Sequence, residues 1–198
     1  MKLLRVTVLL LALVAIACST PAHAAAAGKA TVFKFHSLTA FADFDSTSGC
    51  IETFAEVDGT QSDTSPEADV YIAQFDNCTG TLLLEAFGST FNPTFQVGGK
   101  LASASLSATI SVFDDVSNTT FPVSVSMTWT ATGALSHEIG SQHFHTKNFI
   151  ENFHFNDTFR DASASGTVSD GTTNFTPCSS VFAQIASFKS GDVTISHS

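Results

Sequence analysis

From Ala102 to Val112 every second residue is apolar. Ala102, Ala104, Leu106, Ala108, Ile110 and Val112 alternate with Ser103, Ser105, Ser107, Thr109 and Ser111. The same period returns with the opposite parity from Phe121 to Ala131. There Phe121, Val123, Val125, Met127, Trp129 and Ala131 alternate with Pro122, Ser124, Ser126, Thr128 and Thr130. A strand sends successive side chains to opposite faces, so each segment reads as a half-buried β-strand. Pro122 lacks an N–H, which puts the start of the second strand at an edge or a bulge.

Between the two runs lies the turn-rich stretch Asp114-Asp115-Val116-Ser117-Asn118-Thr119, so a hairpin is expected. Facing apolar against apolar requires partner numbers with an odd sum. A sum near 233 sets Met127 opposite Leu106 and Val123 opposite Ile110. A slip of one residue would turn every apolar side chain to the wrong face.

Further strands are expected at Thr31 to Leu38, Cys50 to Val57, Asp69 to Asp76 and Thr81 to Phe87. Others are expected around Gln142 to Thr146, Asn152 to Phe159, Ala162 to Ser169 and Ser180 to Phe188. Asp170-Gly171 suits a two-residue hairpin turn. Ser190-Gly191 would set Phe188 opposite Val193 and Ala186 opposite Ile195. Roughly ten strands with short connections predict an all-β fold: a single antiparallel β-sandwich domain, with a closed antiparallel β-barrel as the alternative. The chain has 19 Phe but only 1 Tyr and 1 Trp. Phe has no polar handle, so most of these rings are expected in the core.

The first residues have a different character. Met1-Lys2-Leu3-Leu4-Arg5 is a basic head, Val6 to Ala17 an apolar run, and Ala22-His23-Ala24 a small-residue triplet. These are the three parts of a secretory signal peptide, 1–24, leaving 25–198 as one antiparallel β domain. The apolar run is shorter than the roughly 20 residues a membrane-spanning helix needs. Ala15-Ile16-Ala17-Cys18 loosely resembles a lipidation site, so Cys18 is a competing processing point. The expected location is exported: extracellular, periplasmic or at the cell surface, with no transmembrane helix in the mature chain. The whole chain carries 8 Lys+Arg against 18 Asp+Glu, a net charge of −10. Removing the leader takes Lys2 and Arg5 and no acid. So acidic a surface repels phosphate backbones and excludes nucleic acid as a partner.

An exported chain meets oxidising conditions. Cys50 opens one expected strand and Cys78 closes the next, which predicts a Cys50–Cys78 disulfide. With a loop from Asp58 to about Ala68, the register sums to 128 and sets Val57 opposite Tyr71. Cys178 is then the odd thiol, expected buried and free or available for intermolecular pairing.

Two weaker constellations carry chemistry. In Gln142-His143-Phe144-His145-Thr146 the two His share a strand face, and His154 stands between Phe153 and Phe155. A hairpin register summing to 299 sets His145 opposite His154, with His143 one step along. Three imidazoles on one face form a ligand set for zinc or copper, with a position open for water. The acidic stretch carrying Asp58, Asp63, Glu67 and Asp69 offers hard oxygen ligands, but it lacks any calcium-loop spacing and reads as a solvated loop. The Ser/Thr positions of 102–112 and 121–131 read as a solvated sheet face. No nucleophile elbow or phosphate-cradling loop is present. The expected function is therefore a secreted or surface-associated, non-enzymatic binding module for an extracellular ligand. The alternatives are a His-dependent metal-binding protein or hydrolase, and an outer-membrane β-barrel.

Overall fold

The computed structural model describes residues 34–63, 65–146 and 149–191, with side chains except those of 145–151. The expected signal peptide at 1–24, Cys18, and the expected partners Val193 and Ile195 lie outside the described residues. Nine strands account for most of the chain: β1 Phe35–Ser48, β2 Ile51–Ser62, β3 Pro66–Asp76, β4 Thr81–Thr90, β5 Thr94–Val97, β6 Ser103–Asp114, β7 Thr119–Thr146, β8 Phe149–Ser169 and β9 Phe182–Ser190. The segments expected separately at Asn152–Phe159 and Ala162–Ser169 are one strand, β8. Among the described residues no helix is long and apolar enough to cross a membrane.

All pairings are antiparallel, in the order β4-β3-β2-β1-β9-β8-β7-β6-β5. β4 also pairs with β6 through Ala86↔Asp114 and Phe87↔Phe113, so the run of pairings returns to its start. The β6–β7 register is the expected one, with Leu106↔Met127 and Ile110↔Val123. Pairing with β8 begins only at Ser124↔Ser169, so Pro122 lies beyond the end of that neighbour. The Asp170-Gly171 turn is wider than expected. Ser169 bridges to Asn174, and the Asp170 carboxylate accepts the N–H groups of Thr172 and Thr173, each at 2.7 Å. The side chain thereby takes over a role that strand pairing would otherwise fill.

The β2–β3 register sums to 127, not 128. Val57 faces Val70, Ala55 faces Ile72 and Gly59 faces Ala68. Parity demands this, because all six are buried and a sum of 128 would set inward-facing residues against outward-facing ones. The disulfide survives the correction. Asn77 N donates to Cys50 O at 2.8 Å, and Cys78, one residue on, bonds Cys50 with a Cα–Cα distance of 5.4 Å.

The core differs from expectation in composition. Among the described residues only three phenylalanines, Phe44, Phe95 and Phe175, are buried. Small and β-branched residues fill the interior instead: Ala40, Ala42, Ala55 and Ala86 pack with Val57, Val70, Ile110 and Val123. Most other rings stand on the outer face and pair there, as Phe41 does with Phe182 and Phe159 with Phe188. Trp129 is buried, and its indole N–H donates to Phe41 O at 3.0 Å, tying β7 to β1 across the core. The outer faces of β6, β7 and β8 carry exposed Ser and Thr in cross-strand rows such as Ser105–Thr128–Ser165 and Ser107–Ser126–Thr167.

Candidate functional site

The parity that buries Ala55, Val57 and Gly59 turns Glu56 and Asp58 to the outer face of β2. Register then fixes their neighbours. Glu56 stands between Asp43 on β1 and Tyr71 on β3; Asp58 stands between Phe41 and Asp69. Tyr71 is followed across the sheet by Phe87 on β4, and Phe87 by Phe113 on β6. One row thus runs Asp43–Glu56–Tyr71–Phe87–Phe113 over five strands, from carboxylates to rings.

These residues line a groove of about 450 Å³ with Glu56, Asp58 and Asp69 on one side and Tyr71, Phe87 and Phe113 on the other. Among the described residues no Lys, Arg or His lines it. Phe87 and Phe113 meet edge to face with centroids 6.3 Å apart, and Phe87 remains 48% exposed. Tyr71 packs on Phe54 and donates its hydroxyl to Glu85 Oε1 at 3.1 Å. The floor depends on Gly88, where β4 and β6 run so close that a methyl group would strike the Ser111 carbonyl.

Crowded carboxylates in a partly dry site resist ionisation. Burial, then the charges of Asp43 and Asp69, push Glu56 up to about 7. Burial also pushes Asp58 up to about 7; the Thr60 hydroxyl, donating at 3.1 Å, opposes this, while Asp69, Glu56 and Glu67 add to it. Asp69, at the rim, is raised to about 6 by partial desolvation and by Glu67. At neutral pH the groove therefore holds a partial negative charge that a bound cation would stabilise, beside ring faces that also attract cations.

The acidic stretch read as a solvated loop is mostly strand. Asp58 belongs to β2, Glu67 and Asp69 belong to β3, and the turn between the strands is short. The sequence singles out Asp58 and Asp69 and starts a strand at Asp69, but it reads the stretch between them as a long loop and does not single out Glu56, Tyr71, Phe87 or Phe113. The signal was available in Ala55-Glu56-Val57-Asp58, where acids alternate with apolar residues on a strand.

The β7–β8 register sums to 295 at the histidines, not 299. His154 faces Ser141, His143 faces Asn152 and His145 faces Ile150. All three positions still share one face of the ladder, with His143 diagonal to His154, but no two stand directly opposite. His143 Nδ1 contacts the Asn152 side-chain oxygen, and His154 is exposed; the side chain of His145 lies outside the described residues. The difference follows from where the strands join, since pairing runs as far as Thr146↔Phe149, whereas a sum of 299 needs a later turn. A bulge after Ala131, where β7 holds three residues against one of β8 before Leu135↔Arg160, moves the sum from 293 to 295. Arg160 Nε closes that bulge by donating to Gly133 O at 2.8 Å. Cys178 is exposed rather than buried, in the connection from β8 to β9.

No protein-family model matches the chain, and neither a curated protein nor a solved structure matches it.

Proposed function

We propose that this chain is an exported, non-enzymatic binding module whose groove takes an organic cation: an amine or guanidinium carried on an apolar body. The observation that carries this reading is the groove itself, where three carboxyls of raised pKa stand beside exposed Phe87 and half-buried Tyr71 and Phe113, with no basic side chain among the described residues that line it. The carboxylates supply charge and the rings supply apolar contact plus cation–π attraction, about 0.5–2 kcal/mol per ring. The Cys50–Cys78 disulfide supports an oxidising, exported setting. The outward Ser and Thr of β6–β8 support a water-facing exterior, since a membrane barrel turns an apolar band outward.

Calorimetric titration with phenylguanidinium tests the proposal, with neutral benzyl alcohol as the control. Saturable binding of the cation alone is expected, weakened by Asp58→Asn and by Phe87→Ala. Equal heats for both probes, or none for either, would remove the groove as a cation site.

A further inference from the structure

β7 outlasts the strand that covers it. β6 pairs with β7 only as far as Thr130, whereas β7 continues against β8 to Thr146. Among the described residues no other strand pairs with the outer edge of β7 from Leu135 onward. The direction of its backbone groups follows from hydrogen bonds on β8. Ala164 N and O both bond Ser180, and His154 O accepts Gly191 N, so even residues of β8 face away from β7. Directly opposite residues of an antiparallel ladder either exchange both bonds or exchange neither. Leu135, His137, Ile139 and Ser141, each opposite an even residue of β8, therefore direct N–H and C=O to the open edge.

Sheet edges are ordinarily blunted by Lys, Pro or a covering element. Between Leu135 and Thr146 there is no Lys, Arg or Pro, and Glu138 is the sole acid. Ile139 is 76% exposed on one face of this ribbon and Phe144 58% exposed on the other. Opposite Leu135 to Gly140, β8 is itself paired with β9, so β7 is there the bare edge of a three-stranded sheet, and beyond it only β7 and β8 continue.

We propose that this edge docks a second copy of the chain, β7 against β7 about a two-fold axis. Antiparallel pairing of one segment with itself is self-complementary, as an isologous interface requires. Charge selects the same place. The chain carries −10 overall, and two such copies repel least where each presents a nearly neutral edge. A register with Ile139 on the axis sets His137 opposite the partner's Ser141. The dimer extends the sheet and leaves the acidic groove, on β2–β4, β6 and the start of β7, facing solvent.

Sedimentation equilibrium of the purified chain tests this, with two variants. Ser141→Pro removes an N–H aimed at the open edge and spares the β7–β8 bonds. Ile139→Glu sets two carboxylates face to face on the axis, which weakens association by about tenfold or more. The expected result is a wild-type dimer at high micromolar concentration, weakened in both variants, while Ser105→Lys on the outer hydroxyl face stays dimeric. A monomeric wild type, or variants that dimerise as tightly as wild type, would overturn the proposal. Far-UV circular dichroism of Ile139→Glu, exposed in the monomer, separates lost docking from lost folding.

Discussion

Asp58 on β2 and Asp69 on β3 face each other directly across the ladder, with Glu56 the next outward residue along β2. Like charges set opposite one another weaken a sheet, so the arrangement costs stability whenever these carboxyls ionise. Burial is the first cause of their raised pKa values, and neighbouring carboxylates add to it.

The consequence for stability has a definite sign. The folded-state values of Glu56, Asp58 and Asp69 lie above the ordinary carboxyl range, at about 7, 7 and 6. The unfolded chain releases these protons first, so stability falls as pH rises from about 4 through about 7. The protein is expected to melt higher at pH 5 than at pH 8. Asp58→Asn is expected to stabilise it at pH 8 by about 1–2 kcal/mol, a figure discounted for solvent screening. Thermal melts across this range check it; a melting temperature that climbs toward pH 8 would contradict it.

Asp114 runs the other way. Burial alone would raise it, but hydrogen bonds from the Ser117 hydroxyl and from the N–H groups of Glu85, Val116 and Ser117 outweigh burial and hold it below the ordinary value. Its contribution is lost as pH falls through that lowered value. Asp114→Ala takes the acceptor from the part-buried N–H groups of Glu85, Val116 and Ser117 and is expected to cost about 1–2 kcal/mol at neutral pH. Chemical denaturation of the variant at neutral pH measures the loss, and a cost near zero there would mean that the turn holds without the carboxylate.

Gly88→Ala is expected to destabilise the fold by about 1–3 kcal/mol, because the added methyl group meets the Ser111 backbone rather than a movable side chain. The strain falls on the β4–β6 contact, so amide exchange should quicken first near Phe87 and Phe113. Exchange that stays slow there while quickening elsewhere would contradict the close approach.

The Cys50–Cys78 bond spans 28 residues of sequence and ties the start of β2 to the end of β3. Removing it by Cys50→Ser with Cys78→Ser is expected to cost about 3 kcal/mol in the chain-entropy account. Urea unfolding of the double variant reads the difference directly. A midpoint equal to that of the oxidised wild type would show that β2 and β3 need no crosslink.

How far the chain was legible depended on parity. In β6 and β7 the alternation is long and strict, so period, hairpin and register were all readable from Leu106 and Met127. In β2 and β3 a one-residue error in register came from assuming a long loop. The alternation of Ala55 and Val57 against Ala68, Val70 and Ile72 would have corrected it and shown Asp58 facing Asp69. The bulge after Ala131 was not legible, because Thr132-Gly133-Ala134 carries no alternation to break. It moves the sum from 293 to 295, and the pairing Thr146↔Phe149 places the turn too early for His145 to meet His154. Most Phe rings are expected in the core because Phe has no polar handle, but here small residues fill the interior and rings such as Phe87 and Phe113 face outward.

The groove assignment is tested most directly by measuring phenylguanidinium affinity between pH 5 and pH 8 in wild type and in Asp58→Asn/Asp69→Asn. Cation binding to ionising carboxyls must strengthen as they lose protons. The expected result is wild-type affinity that rises through pH 6–7, with weaker binding and a shallower rise in the double variant, which keeps only Glu56. Wild-type affinity that does not change with pH, or a double variant that follows the wild-type curve, would contradict it.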